Sequence, residues 1–314
     1  KDWLIFCTGV VPAISSIVRK LTTPNENVLI QTPVYNIFFN SIINNGCRVL
    51  ESPLRYEDGV YAIDFADLEE KLADPQTTLM ILCNPHNPVG KIWDRQTLAH
   101  IGELCEKHHV TVIADEIHCD LTKPGMEYIP FASVSETCKQ ISITCIAPTK
   151  TFNLAGIQTA AVSVPNPQLR HKVWRGLNTD EVAEPNAFAM AATIAAFTSG
   201  EDWLDELRSY IWENRLMVEA FTAKELSGIK VVAGEATYLL WLDCSALLDR
   251  EGGFLGMTES VALAGYIRKK TGRYLSDGVE YGKSGRCFLR MNIACQREKI
   301  EDGLSRLHAA LEAG

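Results

Sequence analysis

From its start to Val164 the chain alternates short β-rich runs with amphipathic stretches, and this alternation narrows the possible folds more than any other feature. The candidate strands are Val28 to Gln31, Arg48 to Glu51, Thr78 to Cys83, Val110 to Ala114, Gln140 to Ile146 and Ala160 to Val164. Between them lie helical patterns over Val34 to Asn45, Asp64 to Ala73 and Arg95 to His108. Strands separated by helices of this length form βαβ units, and βαβ units build a mainly parallel sheet. Runs such as LMIL and VTVIA are apolar at consecutive positions, the pattern of a strand covered on both faces.

From about Gln168 the texture changes. Long helical patterns cover Gln168 to Leu177, Glu181 to Phe197 and Asp202 to Leu226. Then follow strand signals at Lys230 to Val232 and Thr237 to Leu242, a helix over Thr258 to Thr271, a strand at Cys287 to Ile293 and a last helix over Gln296 to Ala313. The expected architecture is α/β: a large domain over residues 1–200 and a smaller α+β domain over 201–314, with the boundary near Ser199-Gly200.

Composition removes several classes. The 314 residues carry 30 basic and 39 acidic side chains, a net charge of -9, and no cluster of Lys and Arg with interleaved aromatics, which argues against a nucleic-acid surface. With 46% apolar residues the chain can bury a full core. Its longest apolar run, Ala187 to Phe197, is interrupted by Thr193 and falls short of the roughly 18 residues of a membrane span. The ten cysteines form no C-x-x-C pair and sit in apolar surroundings, as reduced thiols of a cytoplasmic protein do. The opening KDWLIFCTG has neither the form of a signal peptide nor an initiating Met, and residues preceding it are expected to be missing from this chain.

Two motifs are set aside. GVEYGKS, Gly278 to Ser284, has three residues between its glycines where a phosphate loop needs four, and it precedes a strand. His118-Cys119-Asp120 has no spaced partner cluster, so no metal site is expected.

Four features lie just beyond the carboxyl ends of strands or open a helix, where a sheet of this kind places ligands. They are NPHNPVG (Asn84 to Gly90), Asp115 in ADEIH, Lys150 in APTKTFNLAG, and Thr8-Gly9-Val10-Val11-Pro12, which opens a helix whose free N–H groups suit an anion. Each alone has an ordinary reading as turn former, helix cap, surface lysine or plain turn. Together, a lysine and an acid at strand ends in apolar segments point to chemistry.

The ordered set TGVVPA, TPVY, NPHNPVG, ADEIH, APTKTFNLAG and FLRMNIA resembles the fold-type I pyridoxal-phosphate enzymes of the class I/II aminotransferase superfamily. Within it, the chain looks most like the MalY/PatB group of carbon–sulfur β-lyases of the cystathionine β-lyase type, because His118 stands three residues after Asp115 where typical aminotransferases carry Tyr. The resemblance implies an aspartate aminotransferase-like fold, a pyridoxal 5'-phosphate cofactor and a homodimer with its active site at the interface. By the same resemblance Lys150 would bond the cofactor covalently and act as general base, which requires a neutral amine. Asp115 would pair with the pyridine nitrogen, Asn87 and His118 would contact the ring oxygen, and Tyr35 would stack on the ring. The N–H groups of Val10 and Val11 and the Thr149 hydroxyl would hold the phosphate, and Arg290 would clamp the α-carboxylate of an amino-acid substrate.

The sequence departs from the family pattern at two positions. Gln158 stands eight residues after Lys150 where many aminotransferases have a phosphate-binding Arg, and Ala147 replaces a frequent Ser. The expected reaction is α,β-elimination from L-cystathionine or a related S-substituted cysteine, giving pyruvate, ammonia and a thiol. The same residues also suit an aminotransferase. A third reading is the cofactor-sensing half of a transcription regulator. The wall beside the substrate side chain is expected to include Tyr238 in ATYLLW.

Overall fold

The computed structural model describes residues 2–313. In chain order the first half runs β1 (Leu4–Cys7), α1 (Val10–Leu21), β2 (Asn27–Ile30), α2 (Ile37–Ile43), β3 (Arg48–Glu51), β4 (Arg55–Glu57), β5 (Val60–Ala62), α3 (Phe65–Leu72), β6 (Thr77–Cys83), α4 (Arg95–Lys107) and β7 (Thr111–Asp115). It continues with α5 (Glu136–Ile141), β8 (Ser142–Ile146), α6 (Pro148–Thr151), β9 (Ala160–Ser163), α7 (Pro167–Thr179), α8 (Ala189–Ser199) and α9 (Glu201–Glu225). The remainder is β10 (Lys230–Val231), β11 (Leu239–Asp243), α10 (Ser245–Leu248), α11 (Ser260–Thr271), β12 (Ser276–Asp277), β13 (Phe288–Asn292) and α12 (Arg297–Glu312).

Seven strands form one sheet in the order β1-β9-β8-β7-β6-β2-β3. The run from β8 to β3 is parallel throughout, and β9 lies antiparallel to both of its neighbours. The consecutive apolar residues of these strands are divided by the pleat between two cores. Val28, Ile30, Leu79, Ile81 and Ile113 pack with Ala13, Ile14, Ile17 and Val18 of α1 and Val173 and Leu177 of α7. Leu29, Met80, Leu82, Val112 and Ala114 face the other way, onto Leu68 and Leu72 of α3 and Leu98 and Ile101 of α4. Each fully buried aliphatic side chain here contributes roughly 1.5–3 kcal/mol. Asp64, Asp94 and Asn166 cap α3, α4 and α7 by accepting first-turn N–H groups, which fixes where those helices begin.

The four-stranded sheet β10-β11-β13-β12 is antiparallel, and its Leu240, Trp241 and Leu289 belong to the same continuous core as α3 and α4. That shared core brings β13 up to the carboxyl ends of the parallel strands.

Several expected boundaries are corrected. The helix expected over Glu181 to Phe197 begins only at Ala189. Before it, Glu181 has φ +56°, Pro185 lacks an N–H, and the Val182 carbonyl accepts the Thr8 N–H at 2.9 Å, so the segment is tied to the start of α1 instead of coiling. The Val34 to Asn45 pattern yields helix only over Ile37–Ile43; ahead of it the Val34 N–H donates to the Tyr281 carbonyl at 2.9 Å. Gln140 and Ile141, expected in a strand, close α5, which Ser135 caps through the Cys138 N–H. The β4–β5 hairpin was not expected; its Asp58-Gly59 turn has φ +48° and +82°, the left-handed pair that matches strand twist.

Candidate active site

The parallel strands β6, β7 and β8 end on one edge of the sheet, and each leads directly to a polar group. Beyond β6 the NPHNPVG loop holds Asn87, which is buried. Asp115 is the last residue of β7. Beyond β8, Pro148 at the first position of the single-turn helix α6 sets up Thr149 and Lys150. Arg290 comes from the other sheet, at the centre of β13, between Trp241 of β11 and Ser276 of β12 in register.

These groups line one cavity of about 340 Å³, and so do Val10, Val11, Tyr35 and His118. All nine residues singled out from sequence therefore meet in one place. Among the described residues, the N–H groups of Val10 and Val11 have no intrahelical partner; Pro12 has none to give, and the Ala13 N–H already donates to the Gly9 carbonyl. The helix end thus offers two free N–H groups and a positive dipole to an anion. Gly9 precedes them in extended backbone, and a Cβ there would come within 3.1 Å of Pro12 Cδ.

The electrostatics divide the cavity. Burial pushes Asp115 from its ordinary 3.8 up to about 6, opposed by the Ile117 N–H that donates to its Oδ1 at 3.1 Å and by the charge of Lys150. A buried carboxylate in that condition gains from any cation brought against it. His118 is pushed down to about 3, first by burial and then by the charges of Lys150 and Arg290, so its imidazole is neutral. Its Nδ1 is buried with no hydrogen-bond partner among the described residues, and its ring meets the Tyr238 ring edge to face at 5.7 Å. The Tyr35 phenol is raised by burial and by Asp115.

Arg290 is held from two sides. Its guanidinium lies 4.8 Å over the Tyr281 ring, and its Nη1 donates to Asn87 Oδ1 at 3.3 Å. That bond joins the two sheets across the cavity. Asn87 is fixed in turn by its N–H, which donates to Cys83 Sγ at 3.4 Å.

Pyridoxal 5'-phosphate fits these features. The cavity has an anion cradle at one end, a buried carboxylate and an imidazole nitrogen with no side-chain partner among the described residues, and a lysine at the lip of a one-turn helix. Gln158 also lines the cavity, in a left-handed conformation at φ +50°, at the position of the family's arginine. Sequence reasoning passed over Cys83, Ile117, Leu239 and Asn292, which line the cavity too. Asn292 was within reach of it, since a residue two places after Arg290 on a strand shares its face. The other three are apolar strand or loop residues with no distinguishing signal.

The fold and site are those of a pyridoxal-phosphate enzyme of the aminotransferase type. The chain belongs to the aminotransferase class I and II family, whose profile matches residues 1–307. It is 44% identical over 308 residues to cystathionine beta-lyase PatB of Bacillus subtilis, covering 98% of this chain and 77% of that protein. Protein MalY of Escherichia coli is 30% identical over 99% of this chain and 77% of its own length. Among solved structures, cystalysin from Treponema denticola, which contains a pyridoxal 5'-phosphate cofactor, superposes with a TM-score of 0.94 at 33% identity, covering 99% of this chain and 77% of that one. The PLP-bound C-S lyase from Staphylococcus hominis gives 0.91 at 31% identity, with 99% and 77% covered.

Proposed function

We propose that this protein is a pyridoxal-phosphate-dependent carbon–sulfur β-lyase that cleaves L-cystathionine or related S-substituted cysteines to pyruvate, ammonia and a thiol. The observation that carries the reading is the single cavity in which Lys150, Asp115, Asn87, Tyr35 and Arg290 converge from five separate segments. The similarity to PatB over nearly the whole chain supports the lyase assignment. When bound, the cofactor supplies an electron sink for the pair left at Cα.

In this proposal each residue has a separate task. Arg290 holds the substrate α-carboxylate in a planar pair, already aimed by Tyr281 and Asn87. Lys150 Nζ takes the Cα proton, and its place on a short, Pro-initiated turn limits its reach to one side of the cavity. Asp115 would keep its charge against the pyridine nitrogen. Neutral His118 and Asn87 would hydrogen-bond the ring oxygen, and Tyr35 would cover the ring face. Val10, Val11 and Thr149 bind the phosphate, and thiolate leaves from Cβ toward the side bounded by Tyr238.

The test is release of pyruvate and free thiol from L-cystathionine with added pyridoxal phosphate and no 2-oxo acid. Equal amounts of the two products establish elimination. Turnover that appears only with a 2-oxo acid acceptor assigns an aminotransferase instead.

Arg290→Lys keeps the charge but loses the two-pronged geometry. A hydrogen bond to a charged group is worth about 1.5–3 kcal/mol, so KM for L-cystathionine should rise about 10- to 100-fold in steady-state assays.

Several broader assignments complete the reading. A homodimer is supported by the apolar outer face of α8, where Phe188, Met190, Ile194 and Phe197 are all exposed next to Trp203. Sedimentation should give twice the chain mass for the wild type, and Ile194→Asp should shift it to the single-chain mass. A cytoplasmic location is supported by cysteines that are all free, eight of them buried. No helix among the described residues is long and apolar enough to cross a membrane. The division at residue 200 falls between α8 and α9, and we retain it for the two domains.

A further inference from the structure

Three charged side chains are buried among the described residues: Asp115, Glu116 and Arg215. Arg215 pairs with Glu219 and with the Val232 carbonyl and does not line the cavity. Asp115 faces the cavity. Glu116, adjacent to it and just as deeply buried, does not line the cavity and has no part in the reaction described above.

Its carboxyl closes one loop. Glu116 Oε1 accepts the Phe131 N–H at 2.9 Å, closing residues 117–130 into a loop whose two ends are joined by this carboxyl. The Glu116 N–H donates to the Cys145 carbonyl of β8, and its carbonyl accepts the Cys119 N–H. The Tyr128 hydroxyl, which lies beside Glu116, donates to the Asn84 carbonyl at 2.9 Å beyond β6. Asn84 N–H in turn donates to the Asp115 carbonyl.

The loop so closed carries much of the site's wall. It contains His118, whose ring meets Tyr238. Thr151, next to Lys150, donates to Asp120 Oδ2 at 2.9 Å. The Lys123 N–H donates to the Glu235 carbonyl and the Thr237 N–H to the Leu121 carbonyl, both at 2.7 Å, stitching the loop to the segment that leads into Tyr238.

We propose that Glu116 is a positioning residue for this site: its buried carboxyl fastens the 117–130 loop across the ends of β6 and β7, and through the loop it fixes the wall formed by His118 and Tyr238. Burial, with the neighbouring charge of Asp115 adding, pushes Glu116 up to about 7, so glutamine is the isostere that keeps its hydrogen bonds.

The proposal rests on the lyase reading only for the importance of that wall. Its first readout is therefore independent of turnover: amide hydrogen exchange at Phe131 in the cofactor-free chain. Glu116→Ala should accelerate that exchange at least about tenfold, since the amide loses its only partner among the described residues. In the holoenzyme it should lower kcat about tenfold or more, the usual consequence of a misplaced site wall. KM should stay within about twofold, because Arg290 is aimed from β13 and not from the loop. Glu116→Gln should restore both the exchange and kcat.

Wild-type exchange in Glu116→Ala overturns the proposal. So does a Glu116→Gln variant as damaged as the alanine variant, which would assign the effect to charge. Should the alanine variant not fold, Glu116→Leu, close in volume but without an acceptor, takes its place; faster Phe131 exchange in it supports the brace, and unchanged exchange overturns it. A failed lyase assay with the expected exchange pattern overturns the lyase reading and leaves the brace standing.

Discussion

Lys150→Ala should abolish pyruvate release from L-cystathionine, lowering turnover by at least about 10⁴-fold, the upper range for loss of a general base, with loss of the covalent anchor added. No second amine takes its place among the described residues, of which Lys150 is the only lysine on the cavity lining. The measurement is a single-turnover assay with a pyruvate-coupled readout. Folding should survive, because Lys150 is only partly buried and the α6 turn is closed by the Phe152 N–H to the Pro148 carbonyl at 2.8 Å. A variant that retained wild-type turnover would remove the proton-transfer role from this residue and with it the elimination mechanism.

Asp115→Asn should move stability and function in opposite directions. The folded chain holds the Asp115 carboxyl at about 6 against an ordinary 3.8, so the native state binds more protons than the unfolded chain between those values. The burial penalty is therefore absent below about pH 4, grows through the window from 3.8 to 6, and is complete above it. At about 1.4 kcal/mol per pKa unit, the cofactor-free wild type carries roughly 2–3 kcal/mol of destabilisation at pH 8 from this group. Asn carries none. Denaturant unfolding of the cofactor-free proteins should show Asp115→Asn more stable by about that amount at pH 8 and equal at pH 4. Turnover should nevertheless fall about 10²- to 10³-fold, the usual loss when a buried group that stabilises developing charge is removed. A gain in stability that did not depend on pH would mean that the carboxylate is not the strained group.

The same contrast explains what was legible in the chain. The alternation of apolar runs and amphipathic stretches was sufficient for the parallel sheet, because strands buried on both faces leave no other pattern; β6 and β7 emerged with their strand ends at Cys83 and Asp115. The order of the motifs led to the family, and the family profile and PatB carry the same assignment over nearly the full length. Helix limits were less legible. Residues 181–188 have helical composition, yet a left-handed Glu181 and a bond from Thr8 hold them as an irregular strap beside the start of α1. That competition is between local propensity and a contact with a segment more than 170 positions away, which no window along the sequence contains.

The sequence by itself determined the residue types at the site, because strand ends in an apolar sheet tolerate a lysine and an acid only for a reason. Only the tertiary structure decided how they act together. Arg290 reaches Asn87 because one hydrophobic core spans both sheets, His118 is neutral because its ring is buried and then because Lys150 and Arg290 converge on it, and Glu116 faces a loop instead of the cavity. Burial and the approach of distant charges set those properties, and both arise only when the chain has closed on itself.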